Sequence, residues 1–281
     1  MKTLNFSKNS VKIHQTKEIA KFASMKKFFL FPFRLLWRIW FYSLVLSTVV
    51  LMAPILLILT AKESYYPTFW KLIRAWAFLL IYGMGFRLKI EREQELDRHK
   101  SYMFCPNHAS LMDAFVLIAL SQNPIVFVGK KELVKIPVFG YFYKKVVIMV
   151  DRENANSRKR VYLMAKKRLH DGISIGIFPE VLVPEEYTIL APFKNGAFSL
   201  AIEYNTPIVP HIYYDCKRLF SWDVFKGHPG TFRVKQCRFF ETESLSLKDR
   251  DLLREKTFNL MYNELAHDAL YMADTNREQN E

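Results

Sequence analysis

The chain has 281 residues, 51% hydrophobic and 15% aromatic, and a formal net charge of +14. That length holds one sizeable α/β domain with an appendage, or two small domains; the apolar content, at the top of the ordinary range, calls for an apolar partner, and the charge for an anionic one such as lipid head groups, nucleic acid or a phosphorylated small molecule. Three widely spaced cysteines, Cys105, Cys216 and Cys237, exclude a disulfide framework and any zinc or redox spacing, and suit reduced thiols in a cytoplasmic compartment.

Residues 1–38 carry nine basic side chains and one acidic one, Glu18, after which 39–61 run 23 residues without a charge. About 20 apolar residues cross a bilayer core, so this run is long enough for a transmembrane helix. It is also longer than the roughly 7–15 residues of a cleavable signal core, and its Phe, Leu and Ile content does not end in small residues. The pattern predicts a retained anchor with a cytoplasmic N-terminus; the competing reading is a buried helix of a soluble protein. A second apolar run, 75–86, follows Lys71 and Arg74. Its helix would be about 18 Å long, too short to span alone. Extended back to Pro67 it could cross; otherwise it lies in the interface with Trp70, Trp76 and Tyr82 at head-group level. Either way the two runs form a hairpin that returns the chain to its starting side, whereas a single crossing by the first run would put the remainder on the other face.

From Arg87 onward short β-rich runs alternate with amphipathic helices. Strands are predicted at 101–105, 124–129, 146–150, 174–178 and 207–212, and helices at 111–121, 156–170 and 195–204. A further strand at 231–241 and a closing helix at 248–272 complete the pattern. Such alternation implies an α/β fold with a mixed, largely parallel sheet flanked by helices. The expected organisation is a basic N-terminal segment (1–38), a membrane-embedded or interfacial helical hairpin (39–86) and an α/β domain (87–281).

The chemistry concentrates at Asn107-His108-Ala109-Ser110-Leu111-Met112-Asp113. Five positions on a helix turn through about 500°, so His108 and Asp113 cannot face one another if both are helical. They can meet if His108 ends a loop and Asp113 sits in the first helical turn, with Ser110 as N-cap. An imidazole whose Nδ1 proton is held by a carboxylate presents a basic Nε2, suited to taking a proton from a hydroxyl. Ser110 and Cys105 lack the glycine-flanked strand-turn-helix elbow of a nucleophile, which favours direct attack by a substrate hydroxyl. The bland alternative is a loop histidine satisfied by a nearby aspartate.

Asn107-His108-x4-Asp113 resembles the signature of the glycerolipid acyltransferases, in particular the 1-acylglycerol-3-phosphate acyltransferases. Further blocks follow in that family's order: Phe127-Val128-Gly129-Lys130-Lys131-Glu132-Leu133 through Pro137-Val138-Phe139-Gly140, then Val150-Asp151-Arg152, then Ile177-Phe178-Pro179-Glu180 with Pro192-Phe193-Lys194-Asn195-Gly196-Ala197-Phe198, and Pro207-Ile208-Val209-Pro210. The resemblance covers about residues 85–215. It implies transfer of an acyl group from an acyl thioester, acyl-CoA or acyl carrier protein, to a lysophospholipid hydroxyl, first of all 1-acylglycerol-3-phosphate giving phosphatidic acid. His108 would be the general base and Asp113 its partner; Arg152 would hold the acceptor phosphate, Glu180 would shape that site, and Lys130, Lys131 and Lys194 would support it, unless these lysines are merely a solvated basic face. No cofactor and no metal are implied, and the expected location is the cytoplasmic face of a membrane.

The chain departs from the family where Val181, Leu182 and Val183 follow Glu180 in place of glycine, threonine or serine, and arginine. One expected phosphate ligand is thereby lost, and the missing glycine suggests a different loop path. The apolar run could instead dip towards the membrane or line an acyl groove. Rival readings are the same chemistry on another lipid acceptor, a non-catalytic membrane-associated lipid-binding protein on this fold, and nucleic-acid binding, which ranks low because no recognition motif is present.

Overall fold

The computed structural model describes residues 3–280 except 136–138, 151–154, 186 and 225, with side chains for all of these but 3–28, 130, 145–146, 155–159 and 277–280. Helix α1 runs Thr3–Leu59 and α2 Tyr66–Gly83. The strands are β1 (Arg87–Arg92), β2 (Met103–Pro106), β3 (Ile125–Lys130), β4 (Val147–Val150), β5 (Ser174–Gly176), β6 (Ile208–Tyr213) and β7 (Thr231–Gln236). Helices α3 (Met112–Leu120), α4 (Phe139–Val146), α5 (Ala155–His170), α6 (Gly196–Glu203) and the short α7 (Cys216–Leu219) lie between them. Helices α8 (Arg250–His267) and α9 (Ala269–Asn280) follow β7.

The strands form one sheet in the order β1-β7-β6-β2-β5-β3-β4. Every neighbouring pair is parallel except β6 with β7. Strands β2, β5 and β6 are buried along their whole length, which is why they read in sequence as largely apolar runs, with Ser174 and His211 as buried polar exceptions. Successive side chains of β2 go to opposite faces: Met103 and Cys105 join one core cluster, and Phe104 joins the other with Met112, Val116 and Leu117 of α3.

Helix α1 contains one segment, 29–59, long and apolar enough to cross a membrane. Much of it is exposed, including Phe33, Leu36, Leu51 and Ile58. Helix α2 behaves differently. It packs on α3, and Trp70 and Trp76, which the sequence could place at head-group level, are buried in protein, leaving Tyr82 exposed.

Several element ends differ from the sequence pattern for local reasons. The apolar-run criterion passes over β1, an edge strand rich in charged residues with only Leu88 half-buried. Val146 ends α4 instead of opening β4. The expected strand at 231–241 stops at Gln236, beyond which Phe240 makes a single bridge to Ile208. The closing helix breaks at Asp268, whose backbone is extended. Its carboxylate accepts the Tyr271 N–H at the start of α9 and pairs with Arg233 of β7.

Candidate active site

The carboxyl end of β2 feeds the His108 turn. Asn107 fixes the exit: its Oδ1 accepts the Tyr213 N–H at 2.7 Å and its Nδ2 donates to the Tyr213 carbonyl at 3.3 Å, extending the β2–β6 pairing through a side chain. His108 Nδ1 lies 3.0 Å from Asp113 Oδ2. The same oxygen accepts the N–H groups of Ala109 at 2.6 Å and Ser110 at 2.7 Å. Asp113 is fully buried. Because a carboxylate only accepts, Nδ1 is the donor and Nε2 is left as the basic nitrogen. The N-cap of α3 is Leu111, without a side-chain cap bond, and not Ser110; Ser110, one residue earlier, accepts the Met112 N–H at 3.1 Å while its hydroxyl donates to the Phe220 carbonyl at 2.6 Å.

The imidazole is held but reachable. Its face stacks on Phe178 with ring centroids 4.2 Å apart, and the side chain keeps 22% of its surface exposed. Behind it, the buried Asp113 Oδ1 has no nitrogen or oxygen partner and faces the Cys216 thiol. The Cys216 thiol stays protonated, its pKa raised well above the usual range by burial and by the Asp113 charge. Burial likewise raises the Cys105 thiol, so neither cysteine offers a thiolate.

Glu180 works from below the turn. Its Oε1 accepts the His108 N–H at 2.6 Å and its Oε2 the Ala191 N–H at 2.8 Å. Burial pushes its pKa up to about 8, partly opposed by those two N–H donors. The carboxyl group therefore fixes the His108 backbone. The next residue, Val181, has φ +72°. The path expected to change with the loss of glycine is thus one in which valine adopts the left-handed conformation that favours glycine, at a cost of about 1–2 kcal/mol.

Two cavities meet at this turn. The larger, about 460 Å³, is lined by His108 and by apolar side chains of α1 (Val49, Met52), α2 (Trp70, Ile73) and α3 (Leu111, Phe115), with Val181, Leu182 and Val183 completing its wall. The smaller, about 260 Å³, borders Ala109, Lys217 and Ser221 and shares Val183 and Trp222 with the larger one. Lys217 Nζ donates to the Thr188 carbonyl at 3.1 Å.

The structure thus brings His108, Asp113 and Glu180 together. Lys131 and Lys194 are exposed and are not among the residues lining either cavity. Arg152 and the Lys130 side chain lie outside the described residues. Sequence reading missed Lys217 and Trp222, which no local spacing flags because α7 and the segment after it reach the site only through the return of β6. Among the described residues no group of three His, Cys, Asp or Glu side chains converges as a metal site.

A family model described as acyltransferase matches residues 87–214. An uncharacterized acyltransferase of Schizosaccharomyces pombe is 28% identical over 215 residues, covering 73% of this chain and 75% of the relative. Human 1-acyl-sn-glycerol-3-phosphate acyltransferase beta is 24% identical over 66% of this chain and 67% of its own length. The 1-acyl-sn-glycerol-3-phosphate acyltransferase of Haemophilus influenzae is 34% identical over 129 residues, 44% of this chain and about half (53%) of the relative. Among solved structures, the 1-acyl-sn-glycerophosphate acyltransferase PlsC from Thermotoga maritima superposes with a TM-score of 0.70 at 17% identity, covering 85% of this chain and 98% of that one. That likeness establishes the fold, a mostly parallel mixed sheet flanked by helices.

Proposed function

Because the chain belongs to the glycerolipid acyltransferase family and is an O-acyltransferase, we propose that it transfers a fatty acyl group from an acyl thioester to the free hydroxyl of a lysophospholipid, with 1-acylglycerol-3-phosphate as acceptor and phosphatidic acid as product. The observation that carries this reading is the His108–Asp113 pair at the wall of a large apolar cavity. A cavity of this lining suits an acyl chain, since each buried methylene contributes about 0.8 kcal/mol. His108 Nε2 takes the proton of the acceptor hydroxyl as its oxygen attacks the thioester carbonyl. The tetrahedral intermediate collapses to the new ester, and the departing thiolate takes the proton back from the imidazolium, which Asp113 stabilises meanwhile.

The smaller cavity, whose wall carries Lys217 and also the acidic Glu185, lies beside the larger one across Val183 and Trp222 and is assigned to the acceptor head group; Arg152 is assigned to the phosphate by resemblance. The apolar segment 29–59 anchors the protein by lying along the membrane surface, since its Val49 and Met52 wall the larger cavity; this keeps the site on the cytoplasmic face with the N-terminus, and the donor is either acyl-CoA or acyl carrier protein. One observation favours a second reading on a different lipid acceptor: apolar Val183 forms part of the smaller cavity where the family pattern has arginine. Labelled acyl thioester offered with 1-acylglycerol-3-phosphate, a lysophosphodiester and a monoacylglycerol tests both. Preference for the phosphomonoester supports the proposal, and labelling of the phosphate-free acceptor alone removes the phosphate role given to Arg152 and Lys217.

A further inference from the structure

Arg38 is an unusual residue for an apolar helix. It sits in α1 immediately before the uncharged run, yet it is only 3% exposed. Burying a guanidinium costs several kcal/mol unless hydrogen bonds replace its water. Here backbone supplies them at one end of the group, while Nε is buried without a hydrogen-bond partner. Nη2 donates to the carbonyls of Ser221 at 2.6 Å, Asp223 at 3.1 Å and Lys226 at 3.0 Å, and the group lies 3.8 Å from the centre of the Phe220 ring. Its neighbours on α1 hold the same segment. The Trp37 and Phe41 rings pack on Phe220 with centroids 5.5 Å and 4.8 Å away, and Trp37 Nε1 donates to the Met84 carbonyl.

What α1 grips is part of the site. The Phe220 carbonyl accepts the Ser110 hydroxyl, the Ser110 N–H binds Asp113 Oδ2, and Ser221 and Trp222 wall the smaller cavity. From these contacts we infer that Arg38 is a positioning residue for acyl transfer: docking of the membrane helix through Arg38 fixes Phe220, Ser221, Asp223 and Lys226, and through them the Ser110–Asp113 turn, so that α1 completes the active site as well as anchoring it. The effect on catalysis rests on the acyl transfer proposed above; the clasp itself does not.

The test compares the full chain in membranes carrying Arg38→Met and Arg38→Lys with wild type. Hydrogen bonds to a charged group are worth about 1.5–3 kcal/mol, or about tenfold to a hundredfold in rate. Arg38→Met is expected to lower kcat by at least about tenfold while the KM for the acyl thioester changes less than about twofold, with membrane partition unchanged. Arg38→Lys restores part of kcat. Hydrogen exchange provides a readout independent of activity: in Arg38→Met the amides of Lys226 and His228, which bond to Asp223 and Leu219, exchange faster by a similar factor. Unchanged exchange overturns the clasp. Faster exchange with unchanged kcat overturns the positioning role, as does a loss of activity that only tracks the amount of folded protein. If wild type transfers no acyl group at all, the proposed function and the catalytic role of Arg38 fall together, while the exchange measurement still decides the clasp.

Discussion

The turn 107–113 and the loop 180–183 both border the same apolar cavity, and they are built in opposite ways. In the turn, one carboxylate oxygen of Asp113 gathers three donors, and Asn107 and Ser110 tie the chain to β6 and to Phe220. In the loop, a β-branched valine holds a left-handed backbone and Leu182 is 57% exposed. Over-determined geometry belongs with the step that needs a fixed base, because positioning to within fractions of an ångström controls rate. Apolar side chains on a strained loop can change what fits the cavity without touching the proton transfer. The contrast teaches that reaction type and substrate choice reside in separate segments here.

Substitutions can break that contrast in order of effect. Asp113→Ala removes the acceptor of all three donors, and kcat should fall about 10³-fold, within the usual range for disabling general-base catalysis; a drop of only a fewfold in steady-state assays would mean the turn is not a catalytic dyad. Next comes the cavity wall. Ala114 lines the larger cavity from α3, and Ala114→Phe should cut kcat/KM for long acyl thioesters by about tenfold while sparing short ones, since each methylene denied burial forfeits about 0.8 kcal/mol. Equal losses across a chain-length series would remove the acyl chain from this cavity.

Smaller effects probe the joint between the two segments. The Glu180 pKa is raised from an ordinary 4.5 to about 8 by burial, so the folded state favours its neutral form. Its contribution to stability is therefore complete below pH 4.5 and is lost as pH rises towards about 8. Thermal unfolding midpoints should fall across that interval in wild type and fall less in Glu180→Gln, which cannot ionise; parallel curves would refute the shift. Smallest of all, Val181→Gly relieves about 1–2 kcal/mol of left-handed strain against about 0.5–1 kcal/mol of added chain entropy. A stabilisation of about 1 kcal/mol or less in denaturant titrations is expected, and a clear destabilisation would show that the valine contributes more through the cavity wall than it costs in backbone.

Most of the central architecture was legible in sequence because strands buried on both faces leave largely apolar runs, as in 207–212. The meeting of His108 with Asp113 was legible too, since strand, loop and helix start are all local. What escaped depends on distant contacts. Charged β1 becomes a strand because β7 pairs with it residue by residue. Trp70 and Trp76 look like interfacial aromatics until α2 is seen to pack on α3. Arg38, which the sequence groups with a basic N-terminal segment, is defined by carbonyls more than 180 residues away.

The central claim is that His108 takes the proton of an acceptor hydroxyl. Single-turnover transfer of a labelled acyl group to 1-acylglycerol-3-phosphate, comparing membranes of wild type and His108→Ala at equal protein content, tests it most directly. Formation of labelled phosphatidic acid by wild type, with a loss of about 10³-fold or more in the variant and unaltered membrane binding, is the predicted result. Undiminished transfer by His108→Ala would contradict it.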